Sequence, residues 1–521
     1  MKSSPRNRSL SSASHYNPSR SAITERLSYS EGGNSMPILY GGTKSSDFVT
    51  PGIYIEEQVP TSPEKPGGYT SNLLAIIGVF EKGPLTEPVI VNGLNDFVEK
   101  CGNFTENYSG SKAAYAALQR GVQKLAIINV RGDMAKQAEI TLLDKEGKPT
   151  LAVRHMHKCE FGNFCSVEVQ AGNKPDTFRV ILRNPYGKPE VYNDLSTPAQ
   201  AVEKVAAHSK DFVVEELAQE VQPGSNPDVL AETKLTGGSD GKPTKAADYL
   251  GKDDPVTYKK TGLKLLKTLP QVTDFVADKN ISDQFSDAML VAAQEMNAFT
   301  YIPVPDASIV GAISMRQNYD TEFGHFVLGQ AKSKSKGWVV PAAVYDAIAH
   351  VLCPVQDGTA GFWFGDIEST DIPLTTADIE NLTANQVVCL SWIVNEKREN
   401  AMALQSDFTL AADARLRQTY RRRVNSLIVR DLEMVTTPYR SKHLSDGWFA
   451  QYEIAVRHYL DKLKGRPDDL NSEVIQDYKI SFRRPGEIGN VDEAIEELRI
   501  KLFNIADKIT IRLMSAADLT A

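Results

Sequence analysis

The chain is short of the features that announce most activities. No stretch approaches the roughly 20 apolar residues needed to cross a bilayer as a helix, and the first apolar run of note comes after residue 70, behind a Ser- and Arg-rich leader. Neither a membrane span nor a secretory signal is therefore expected, and cytosolic synthesis follows as an expectation. A basic excess is missing too: 58 Lys and Arg stand against 66 Asp and Glu, a net charge of −8. That leaves no positive field for general nucleic-acid binding. Only five cysteines occur (Cys101, Cys159, Cys165, Cys353, Cys389), an odd number at scattered spacing that does not suggest a disulfide scaffold. Three of them, Cys101, Cys353 and Cys389, sit beside apolar residues and read as small buried hydrophobes. Neither a Gly-x-Ser-x-Gly elbow nor a His-Glu-x-x-His zinc helix occurs among the eight sparse histidines. A hydrolytic triad needs no adjacency in sequence, yet no serine has the small-residue surroundings that expose a nucleophile.

What is present is an ordinary globular composition, 41% hydrophobic and 24% charged, in a 521-residue chain too long for one core. Residues 1–48 hold few large apolar side chains and no period, so they read as an arm that is disordered or ordered by a partner. A period-two strand, Ile53-Tyr54-Ile55-Glu56, opens on Pro51-Gly52 and is followed by a Pro-rich linker, within residues 49–68. The apolar strand Leu73 to Phe80, a helix from Ser111 as N-cap and the strand Leu125 to Val130 form an α/β unit over 69–137. Short alternating runs broken by Gly, Pro and Asn make 138–195 a β-rich insertion. The α/β rhythm then resumes over 196–370, with helices expected at 198–208, 286–299, near 313–332 and at 342–352, and strands near 272–277 and 300–304. A last section, 371–507, holds a long amphipathic helix over about 411–436, another over 447–464, and strands at 474–482 and 498–503. The segment 508–521 carries a final strand, Lys508 to Leu513. The fold class is thus α/β and α+β, multidomain.

Three clusters invite a chemical reading. Gly237-Gly238-Ser239-Asp240-Gly241-Lys242-Pro243-Thr244 resembles a phosphate loop but fails twice: Thr236 stands where the first Gly belongs, and Pro243 replaces the magnesium-binding Ser or Thr. His155, His157, Cys159 and Cys165 are plausible zinc ligands, or the cysteines could pair, but the spacing matches no established finger and a polar loop is the favoured reading. No metal or cofactor is expected. The helix 411–436 carries Arg415, Arg417, Arg421, Arg422, Arg423 and Arg430, either a solvated face with weak ion pairs or a dock for an acidic partner.

Taken in order, several segments resemble the contractile phage tail sheath family. They are Pro51 to Glu57; Ala75 to Phe80 with Lys82-Gly83-Pro84; Ala113 to Gly121 with Leu125 to Arg131; Leu235 to Gly241 with Ala247-Asp248-Tyr249; and, more weakly, Gly361 to Asp366 and Gln405 to Leu410. The resemblance implies a subtilisin-like α/β middle domain without catalytic residues, and a C-terminal α+β domain. It also implies terminal strands, Gly52, Ile53, Tyr54, Ile55, Glu56, Glu57 and Lys508, Ile509, Thr510, Ile511, Arg512, Leu513, exchanged between subunits. It implies a structural protein rather than an enzyme: hexameric rings stacked helically on an inner tail tube, with baseplate and terminator proteins as further partners. Contraction would proceed without nucleotide, in a virion tail assembled in the host cytoplasm. The arginines of 411–436 become the candidate tube contact. A subtilisin-like hydrolase is the alternative.

Overall fold

In a computed structural model of the chain, residues 38–40, 53–55, 72–217, 226–305, 308–395, 397–465, 473–483 and 495–505 are described. Residues 1–64 and 65–521 form separate units. In the first, the strand Ile38–Tyr40 pairs in parallel with Ile53–Ile55. The strand read at 53–56 therefore exists, although Gly52, Glu56 and Glu57 lie outside the described residues.

The second unit is organised by a nine-stranded sheet. Its centre is parallel, in the order Val387–Val394, Gly324–Leu328, Phe299–Pro303, Asp274–Ala277, Leu74–Gly78, Leu125–Asn129. One edge carries the antiparallel strand Val89–Val91, and the other the antiparallel strands Asn400–Leu404 and Trp363–Phe364. The central strands are mostly apolar because both faces are covered. Leu74, Ile76, Leu125 and Ile127 join one core with the helices Ser109–Gln119 and Ala342–Leu352. Their alternates Ala75, Ile77, Ala126 and Ile128 join a second core with Leu263–Leu266 and Asp283–Met296. Each isoleucine so buried stabilises the fold by about 1.5–3 kcal/mol relative to exposure.

Three expectations change here. Residues 313–332 are not one helical stretch: a helix Ile309–Arg316 gives way to the strands Gly324–Leu328 and Gln330–Ser333. Gly324 to Leu328 is buried at every position, and such a run carries no period to separate strand from helix. The sheet also takes in Val387–Val394 and Asn400–Leu404, so it crosses the boundary read at 370/371. The helix read from Ser111 starts at Ser109, and Ser111 is fully buried within it.

The β-rich unit reaches beyond 195. Phe212–Glu216 pairs with Pro149–His155, and Leu230–Lys234 with Ser166–Ala171, so both close the insertion's sheets. The helix Pro198–His208, N-capped by Thr197, buries Ala201 and Val205 in the insertion's core rather than on the large sheet. The unit is fastened to the sheet by buried charge. Arg131, just past the strand Leu125–Asn129, pairs with Asp240 at 2.5 Å, and Lys82 pairs with Asp211 at 2.9 Å. Gly238 and Gly241 of the failed phosphate loop are packing residues. A Cβ on Gly132 would lie 1.9 Å from the Gly241 carbonyl oxygen, and Gly241 itself has φ +66°. Two backbones touch there, and any side chain would part them.

The last layer is helical. Thr419–Thr436 and Asp446–Lys464 pack through Val424, Ile428, Val456 and Leu460, and the hairpin Asp477–Arg483/Ile495–Lys501 joins this core through Ile480. Lys508 to Leu513 lie outside the described residues. No helix among the described residues is long and apolar enough to cross a membrane.

Candidate functional site

The basic helix is shorter than its apolar stripe implies. Residues 411–418 form a turn in which the Asp413 carboxylate accepts from the Arg415 main-chain N–H at 2.8 Å and the Thr409 hydroxyl donates to the Leu416 carbonyl at 2.8 Å. Such side chain–backbone bonds compete with helix, which begins at Thr419. The six arginines consequently diverge. Arg415 is exposed and paired with Asp413 at 2.6 Å. The Arg417 guanidinium lies over the Phe408 ring at 4.1 Å, and Arg421 donates to Asn504 Oδ1 at 2.9 Å. Both line an open groove with Phe408, Ala414 and Ile505. The other three are held inside the chain: Arg422 by Glu322 at 2.9 Å, Arg423 by the His350 carbonyl, and Arg430 by the Val272 carbonyl at 3.3 Å.

Beneath the start of this helix lies a buried polar cluster that sequence reasoning missed. His325 comes from the central strand Gly324–Leu328, and Asp346 and His350 are one turn apart on Ala342–Leu352. Asp407 follows the strand Asn400–Leu404, and Thr419 opens the basic helix. His325 Nδ1 lies 2.8 Å from Asp346 Oδ2, and its Nε2 2.6 Å from Thr419 Oγ1. His350 Nδ1 faces the Asp346 main-chain carbonyl at 3.0 Å, and its Nε2 lies 3.1 Å from Asp407 Oδ1. Burial disfavours the charged form of His350, but Asp407 and Asp346 outweigh it and push its pKa up to about 9. Burial would likewise raise both carboxyls, yet the imidazoles hold Asp346 and Asp407 below the usual carboxylate range.

Thr419, His325 and Asp346 thus place hydroxyl, imidazole and carboxylate in series, as a nucleophilic relay does. All three are fully buried, with 0% exposure. A substrate carbonyl has no approach to the hydroxyl in this arrangement. It acts here as a clamp between the basic helix and the sheet. The one local signal was the pair Asp346 and His350 on an otherwise apolar helix.

The cluster His155, His157, Cys159 and Cys165 resolves differently. His155 ends its strand fully buried, Cys159 Sγ lies 3.5 Å from His155 Nδ1, and Cys159 and Cys165 belong to the insertion's core. Burial pushes the two thiols up to about 11 and about 12, and pushes His157 down to about 4. All five cysteines are free thiols.

No protein-family model and no curated protein matches the chain. Solved structures do. A sheath tail protein of Listeria innocua matches at TM-score 0.61 and 13% identity, over 84% of this chain and 97% of its own. The chain has the tail-sheath fold. A sheath tail protein of Desulfitobacterium hafniense matches at TM-score 0.56 and 13% identity, over 87% of this chain and 100% of its own. A sheath of an extracellular contractile injection system, solved in the contracted state, matches at TM-score 0.51 and 12% identity, over 90% and 98%.

Proposed function

We propose that the chain is a structural subunit of a contractile tail sheath. The observation that carries this is the tail-sheath fold, matched at TM-score 0.61 over nearly the whole length of a sheath tail protein. The closed Thr419–His325–Asp346 relay supports a role that is not enzymatic. In this reading the parallel sheet is a subtilisin-like scaffold. Subunits polymerise as helically stacked hexameric rings around an inner tube, between baseplate and terminator proteins. Contraction draws on the packing difference between two lattice states and requires no nucleotide. Segments 52–57 and 508–513 link neighbouring subunits by strand addition, whose main-chain hydrogen bonds tolerate varied side chains. The proposed tube contact narrows to Arg415, which is exposed, and to Arg417 and Arg421, which line an open groove, whereas Arg422, Arg423 and Arg430 are turned inward onto Glu322 and main-chain carbonyls.

Negative-stain microscopy of the purified full chain tests this. Hollow helical cylinders are expected, and truncation of 1–57 or of 508–521 leaves folded subunits that do not polymerise. Dispersed monomers at high concentration would overturn the sheath reading, and normal cylinders from both truncations would overturn strand exchange. The hydrolase reading has one observation in its favour, the relay geometry. Stoichiometric labelling of Thr419 or of one serine by an active-site probe would establish it.

A further inference from the structure

The polar cluster under the basic helix brings two imidazoles and a carboxylate together as a metal-ligand set. The Asp346 carbonyl, 3.0 Å from His350 Nδ1, can only accept, so that nitrogen carries a proton. Asp346 Oδ2, an acceptor when ionised, lies 2.8 Å from His325 Nδ1 and sets the same tautomer there. A neutral His350 would then aim an Nε2 lone pair at Asp407 Oδ1, 3.1 Å away, while His325 Nε2, 3.7 Å from the same oxygen, takes a hydrogen bond from Thr419. Lone pairs facing a carboxylate oxygen in a dry interior repel. Something positive belongs between them. Thr419 Oγ1 can donate to His325 Nε2 at 2.6 Å, and Thr359 Oγ1 lies 3.3 Å from His350 Nε2. Neither hydroxyl supplies a charge to offset two buried carboxylates.

A single proton on His350 Nε2 already lets it donate to Asp407 Oδ1; two occupants supply the full double positive charge. Two extra protons, one on each Nε2, would set two imidazolium ions against Asp346 and Asp407. One dication coordinated by both Nε2 atoms and Asp407 Oδ1 gives the same net charge. We propose that the second is the native state: His325, His350 and Asp407 form a buried structural site for a zinc-class divalent cation.

The distances favour this choice. The three donor atoms lie within 4.8 Å of one another. With bonds of about 2.05 Å to nitrogen and 2.1 Å to oxygen, separations of 3.1 and 3.7 Å correspond to ligand–metal–ligand angles of roughly 97° and 126°. They bracket the tetrahedral value. Thr359 Oγ1, at 3.3 Å from His350 Nε2, stands where a fourth ligand or its bridging water belongs. The outer contacts are those a metal centre uses. Each ligating histidine gives its other N–H to a carboxylate or main-chain carbonyl, and Asp407 Oδ2 is fixed by the Thr359 main-chain N–H at 2.9 Å. A set of two imidazoles and one carboxylate suits zinc, with cobalt and nickel as competent substitutes, and disfavours calcium and magnesium. Bound there, the ion joins a central strand, a covering helix and the loop after Asn400–Leu404, directly below Thr419. It would stiffen the joint between the sheet and the basic helix, and this holds whether or not the chain forms a sheath.

The test uses the untagged full-length chain from zinc-supplemented culture. About one zinc per chain is expected by elemental analysis. Stripping with a strong chelator should lower the melting temperature by several degrees, and zinc chloride should restore it with release of protons. Cobalt chloride added to the stripped chain should give the visible absorption of a four-coordinate site. His350→Gln and Asp407→Asn should abolish that absorption. If these variants do not fold, the cobalt and zinc titrations of the native chain decide alone. Less than a tenth of a zinc per chain, with neither a melting shift nor a cobalt band, overturns the proposal and leaves the imidazolium pair. Unchanged cobalt absorption in folded His350→Gln overturns it as well, since the ion then binds elsewhere.

Discussion

Replacing Asp240 by alanine removes the acceptor on which the β-rich unit's attachment converges. Its carboxylate takes hydrogen bonds from Arg131 at 2.5 Å, the Glu160 main-chain N–H at 2.9 Å, the Tyr108 hydroxyl at 3.1 Å, and an ion pair from Lys242 at 3.1 Å. The Arg131 side chain is 0% exposed and that of Asp240 2% exposed, whereas Lys242 is half exposed. Breaking a buried pair by removing one partner costs about 3–5 kcal/mol, because the other charge stays buried. Arg131 keeps the Glu81 carbonyl at 2.8 Å and the Phe80 carbonyl, which offsets part of that. A loss of about 3–4 kcal/mol is therefore expected, a large part of the 5–15 kcal/mol that typically holds a fold. Lys242→Ala should cost under about 1 kcal/mol, since an exposed ion pair is screened by water. Urea unfolding followed by circular dichroism and by fluorescence measures both, with the transitions of the separate cores fitted individually. At a slope of about 2–3 kcal/mol/M, Asp240→Ala moves its transition down by about 1–2 M. The reasoning is refuted if Asp240→Ala unfolds within about 0.5 kcal/mol of the parent, or if Lys242→Ala costs as much.

Gly132→Ala should destabilise by at least the roughly 1–3 kcal/mol typical of overpacking, because its Cβ meets the Gly241 backbone at 1.9 Å; a neutral result in the same urea assay would contradict that contact. Burial pushes the thiols of Cys101, Cys165 and Cys389 up to about 12. An alkylating reagent at pH 8 should spare all three in the folded chain and modify five sites in denaturant, as counted by intact mass. Burial tends to raise the Asp211 pKa, but the charge and hydrogen bond of Lys82, with a second bond from Asn184, hold it below the usual range. Its stabilisation is thus present above the unfolded pKa of about 3.9 and is lost as pH falls through the lower folded value. Asp211→Asn should flatten the stability–pH curve below about pH 4, and an unchanged curve would count against the pair.

The sequence by itself determined the elements whose period is local. Pro198–His208 is legible because Thr197 can cap it and Pro198 pre-sets its first turn. The strand Leu125–Asn129 and the helix Ala342–Leu352 announce themselves by composition and length. The ordered motifs of a sheath-like chain were also legible, and they led to the same fold that the structural likeness shows. Tertiary structure decided the rest. Gly324 to Leu328 became a central strand because both its faces are covered, a fact its own five residues do not encode. The turn at 411–418 took its shape from Thr409 and Asp413, which bond the backbone and outcompete the helix that an apolar stripe implied. Arg423 and Arg430 looked like surface charge until packing aimed them at buried carbonyls. The His325–His350–Asp407 cluster shows the limit most clearly. Its members are scattered in sequence and share no spacing, and only the stacking of strand, helix and loop brings their ligand atoms within 4.8 Å of one another. Local periodicity specifies which face of an element is apolar; which distant polar groups meet beneath that face is set by the packing of whole elements.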